Sequence, residues 1–99
     1  MSQNRKLLLV QCAGLGYELV CRHDGLLADL GLPFQPCTPV FPAVTCTAQA
    51  TMRTALPPAQ HGIIANGRFD RRSRRVDFWQ QSARLVHGER IWAASRRRG

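Results

Sequence analysis

The amino-acid sequence predicts an α/β fold, with room for one small domain and no more. Three features point there. A short apolar run ends in glycines, a stretch of helical periodicity follows it, and a breaker-free helix follows a proline-rich connection. The apolar run is Lys6-Leu7-Leu8-Leu9-Val10-Gln11-Cys12, closed by Ala13-Gly14-Leu15-Gly16. A continuous run of that length suits a parallel strand buried on both faces. From Tyr17 to Leu30, Leu19, Val20, Leu26, Leu27 and Leu30 recur near helical spacing. Gly25 weakens the middle of that helix and Gly31 is a stop. Strand, turn and helix make the first half of a βαβ unit.

Between Leu32 and Pro42 stand Pro33, Pro36, Pro39 and Pro42. Proline lacks an N–H and restricts its predecessor, so an extended connection is expected, with room for one short edge strand. Thr45 to Ala55 carries no breaker and opens on a good capping residue, which predicts a helix ended by Pro57-Pro58. Gly62 to Ala65 is a short apolar piece, and Asn66-Gly67 is a turn signal. Arg68 to Arg75 reads as a basic loop or hairpin, and Val76 to Trp79 as a strand or a helix start. Glu89 to Arg98 reads as a helix whose final arginines suit the negative end of its dipole.

Composition narrows the class. Of 99 residues, 44% are hydrophobic, too many for a disordered tail. No apolar run reaches the ~18 residues that cross a bilayer, and Leu7–Val10 is too short for a secretory core. A soluble cytoplasmic protein is the expectation. The net charge of +8 is unevenly spread: residues 68–99 hold ten arginines against Asp70, Asp77 and Glu89. Cys12, Cys21, Cys37 and Cys46 form no CxxC pair, so a zinc ribbon is not expected. They read as small buried hydrophobes.

The chemistry concentrates at Phe41-Pro42-Ala43-Val44-Thr45-Cys46-Thr47. An extended approach delivers hydroxyls to a helix start, where backbone N–H groups lack partners and the dipole favours an anion. Such a hydroxyl can cap the helix, bind phosphate, or act as a nucleophile. Capping is its commonest use.

Phe41-Pro42-Ala43-Val44-Thr45, then Thr54 to Ile63 with His61-Gly62, then Asn66-Gly67, resembles the type I phosphodiesterase/nucleotide pyrophosphatase family of the alkaline phosphatase superfamily. Thr45 to Thr54 is nine positions and Thr45 to His61 sixteen, spacings that agree with the family. Phe78 to Ser82 and Gly88 to Trp92 are similar to the stretch that follows the motif in bacterial members.

The resemblance implies a three-layer α/β/α sandwich and two divalent metal ions, usually zinc. It implies hydrolysis of phosphate diesters or pyrophosphates through a phosphothreonine. By position Thr45 is the nucleophile and a metal ligand, and Asn66 contacts a phosphate oxygen. The implied layout is a strand–helix unit over 6–31, a connection over 32–44, a nucleophile helix over 45–56 and an arginine-rich segment over 68–99.

Two departures qualify it. Ala13 stands where the family has a metal-binding aspartate, and Ala55 stands where it has a glycine. The family's remaining metal ligands lie downstream of the region matched here. His61 belongs to the motif with a structural role, and His23 and His87 are expected at the surface. The expectation is an incomplete sandwich, the amino-terminal portion of a larger enzyme, inactive alone and not binding the metals alone. The remainder of the domain, or a second polypeptide, is then a candidate partner. Arg68, Arg71, Arg72, Arg74 and Arg75 beside Phe69, Phe78 and Trp79 open a different reading, a small basic nucleic-acid-binding protein. A truncated reading frame without function is the third.

Overall fold

The computed structural model of the chain describes residues 6–23, 25, 27–31 and 33–98. These residues form a small mixed structure of helices and one two-stranded sheet, divided into two compact units between Cys37 and Thr38. No described helix is long and apolar enough to cross a membrane.

In the first unit the strand expected over Lys6–Cys12 is not formed. A strand needs a neighbouring strand to receive its N–H and C=O groups, and both strands of the described sheet lie in the second unit. Leu7 and Leu8 are accordingly 75% and 85% exposed. The helix expected from Tyr17 to Leu30 is also shorter. Helix α1 spans Tyr17–Arg22, and a single 3-10 turn spans Ala28–Leu30. Gly25, at φ 92°, lies between them in a conformation that no helix continues. Gly31 ends the 3-10 turn in the left-handed region, where a stop was expected. Asp24, Leu26 and Leu32 lie outside the described residues. No described residue before Thr38 is buried, which overturns the reading of the cysteines. Cys12, Cys21 and Cys37 are exposed and Cys46 is half-buried.

The second unit is built on helix α2, Thr45–Thr54. Its approach, residues 39–44, is irregular, not uniformly extended as expected: it bends at Phe41 and Pro42, which are joined by a cis peptide bond, and is extended at Val44. No edge strand forms in it. Thr47, Ala50 and Thr54 are buried and share one stripe at helical spacing. The helix stops because Ala55 turns left-handed (φ 56°), and its N–H still reaches the Thr51 carbonyl at 2.8 Å. Thr54 Oγ1 donates to the Ala50 carbonyl at 2.7 Å and accepts the Leu56 N–H at 3.2 Å.

Pro57 and Pro58 do not end α2; they open a second, one-turn helix, α3, Pro58–His61. Pro58 sits where a missing N–H costs nothing.

Strands β1 (Gly67–Asp70) and β2 (Arg75–Phe78) make an antiparallel hairpin. The basic segment is therefore a hairpin, and Val76 belongs to a strand. Gly67 faces Phe78, and a Cβ at Gly67 would stand 2.8 Å from the Phe78 ring. The ring lies across the glycine, and a larger residue there would have to displace it. Helix α4 spans Ile91–Arg98. The Arg90 guanidinium ahead of it donates to the carbonyls of Ala83, Val86 and Gly88, which fixes the loop leading into α4. Glu89 pairs with Arg97, which holds its carboxyl below the usual range.

Candidate functional site

Thr45 is the first residue of α2 and is exposed. It does not cap the helix. The capping position belongs to Val44, which has no side-chain acceptor, so the expectation of a threonine cap is corrected. The work passes to Asn66, whose side-chain oxygen accepts the Cys46 N–H at 2.9 Å. An N–H can only meet the oxygen end of a carboxamide, so the NH2 end, with two donors, points elsewhere. The Asn66 carbonyl in turn accepts the Trp79 N–H at 3.0 Å. Asn66 is thus pinned between the start of α2 and the base of the hairpin. The Asn66-Gly67 pair read as a turn marks the site of this junction, but sequence alone gave no sign of its bond to Cys46.

Two clefts meet here. Thr45 opens on one of about 540 Å³, with Arg53, Trp79 and Trp92 in its walls. Asn66 opens on another of about 440 Å³, with Arg68, Arg71 and His87. Cys46, Ile63, Gln80 and Leu85 line both. The structure therefore brings Thr45 and Asn66 to either side of Cys46.

His61 is fully buried and stands behind α2. Its Nδ1 accepts the Ile63 N–H at 3.1 Å, which places the proton on Nε2, 2.8 Å from Thr51 Oγ1. Burial pushes its pKa below the ordinary value. Both ring nitrogens are spent on the fold, in keeping with a structural role. His23 and His87 are exposed, as expected. Thr47 is also fully buried, and its Oγ1 has no hydrogen-bond partner.

The model of the type I phosphodiesterase / nucleotide pyrophosphatase family matches residues 7–99. The chain belongs to that family. No curated protein and no solved structure matches it.

The resemblance implies two divalent metal ions, which need several donors brought together. The described residues contain no group of three or more His, Cys, Asp or Glu side chains able to hold a metal ion. The Ala13 side chain has no ligating atom. The Thr45 hydroxyl is one donor, too few for a metal pair. The donor set described here does not fit the metals.

Proposed function

We propose that this chain presents the nucleophile threonine and the phosphate-binding asparagine of a type I phosphodiesterase, and receives a phosphate diester or nucleotide there. The observation that carries the reading is the Asn66 carboxamide bonded to the Cys46 N–H, one residue after Thr45. It leaves the two N–H donors of Asn66 for phosphate oxygens, with the exposed Thr45 hydroxyl one residue from the bonded Cys46. The family's chemistry then reads as attack of Thr45 Oγ on phosphorus while the bond to the leaving ester oxygen breaks. Water hydrolyses the phosphothreonine. We assign these elements to an alkaline-phosphatase-like α/β/α sandwich on the strength of family membership.

Turnover by this chain alone is not expected. A threonine hydroxyl is a feeble nucleophile at neutral pH without a base or metal. Among the described residues no titratable group is hydrogen-bonded to it, and the donors for a metal pair do not assemble.

Two measurements test the reading. Adenosine monophosphate titrated into isotope-labelled protein is expected to shift the amide signals of Thr45 and Cys46 and the side-chain amide of Asn66. Asn66→Asp keeps the acceptor for Cys46 and turns a negative oxygen toward the phosphate, so the shifts should vanish. Signals that do not move in the parent chain overturn the site. With bis(p-nitrophenyl) phosphate and zinc, release of nitrophenol should match that of Thr45→Ala. Turnover lost in Thr45→Ala would show that the chain is active alone.

A further inference from the structure

The register of the hairpin separates its side chains by face. Gly67 faces Phe78 and Phe69 faces Val76, and these four share one face because opposed residues point the same way. Arg68 faces Asp77 and Asp70 faces Arg75 on the other. The first face is apolar and open: Phe69 is 57% exposed and Phe78 64%. Phe69 and Phe78 are diagonal neighbours on that face, a separation that aromatic side chains can span.

The loop joining the strands carries Arg71, Arg72 and Arg74. Its acidic neighbour is already committed. The Asp70 carboxylate accepts the Arg72 N–H at 2.9 Å and the Ser73 hydroxyl at 3.0 Å, and those bonds hold its pKa below the usual range. Asp77 accepts from the Gln80 side chain. Among the described residues, none of the three loop arginines forms a salt bridge. Five arginines against two aspartates leave the hairpin strongly cationic.

We propose that the β1–β2 hairpin is a docking platform for single-stranded nucleic acid. Rings alone would suit many apolar partners, and arginines alone would suit any polyanion. The combination suits a polyanion that also presents flat π faces. In a single strand the bases are free to stack on Phe69 and Phe78 while the phosphates run past the loop arginines. A duplex keeps its bases stacked inward and would use the arginines without the rings. The inference does not rest on the reading of Thr45.

The test is fluorescence anisotropy with a labelled oligothymidylate of about 12 nucleotides, within the usual single-strand site sizes. Phe69→Leu and Phe78→Leu keep apolar bulk but cannot stack, and each should weaken binding about tenfold. Phe78→Tyr should bind as the parent does. Arg71→Gln and Arg72→Gln leave the backbone bonds of the loop in place. Each should flatten the slope of log affinity against log salt by about 0.7. Circular dichroism establishes that the variants keep the parent fold. Three results overturn the proposal: no binding by the parent, leucine variants that bind unchanged, or equal affinity for the strand annealed to oligoadenylate. Self-association of the parent that the leucine variants abolish also overturns it, since a second copy then covers the face.

Discussion

The Thr47 hydroxyl has lost water and gained nothing in return. Its Oγ1 is buried without a hydrogen-bond partner at the first turn of α2, and an unmet buried hydroxyl costs about 1–3 kcal/mol. Valine has nearly the same shape, so Thr47→Val should stabilise the chain by about 1 kcal/mol. The urea midpoint should rise with an unchanged slope, and a lower midpoint would mean that the hydroxyl is engaged in solution. Sequence could not identify this residue. Thr45 and Thr47 both flank Cys46, and only the packing distinguishes the exposed hydroxyl from the buried one. The same holds for the cap. Thr45 has the right chemistry for it, but the helix begins one residue earlier in register, and Asn66 supplies the acceptor from 20 positions away.

Helices α2 and α4 were legible because their signals are local: no breakers, and arginines that favour the last turn of α4. The hairpin was legible as one of two options, and the partner strand decided between them. The run over Lys6–Cys12 shows where local signals fail. Apolar content fits it for burial between strands, but strand formation depends on neighbouring strands, and the described sheet holds only β1 and β2. At the end of α2, Ala55 carries a local cost. It adopts φ 56°, where its Cβ crowds the backbone. Ala55→Gly relieves that strain and gives back part of it through a freer unfolded chain. A net gain of about 1 kcal/mol is expected, read as a thermal midpoint higher by about 4–8 °C for a chain of this size. An unchanged or lower midpoint would show that the turn is not strained.

At the scale of the whole molecule, apolar burial is sparse. Ala50 is the one buried hydrophobic residue among those described, and Thr47, Thr54 and His61 are the buried polar ones. Stability therefore leans on specific polar contacts, and His61 makes it depend on pH. The folded pKa lies below the ordinary 6.5, so the unfolded chain takes up the proton more readily. The contribution is fully present above that value and is lost as pH falls below it toward the folded pKa. Protonation also turns Nδ1 into a donor facing the Ile63 N–H, which breaks that bond. The thermal midpoint should hold steady above about pH 6.5 and decline below it, and His61→Gln should remove that decline. A wild-type midpoint flat down to the carboxylate range would contradict this. Asp70 and Glu89, both shifted down, add their own losses only at lower pH.

Asn66 holds two regions with two different groups, its carboxamide on Cys46 and its carbonyl on Trp79. Neither bond belongs to a helix or a strand. If the base of the hairpin opens, Asn66 loses the contact that fixes its backbone, and its side chain loses its aim at α2. If the first turn of α2 frays, the carboxamide loses its donor. The start of the helix and the base of the ribbon are thereby joined in one cooperative opening, a single local unfolding event instead of two.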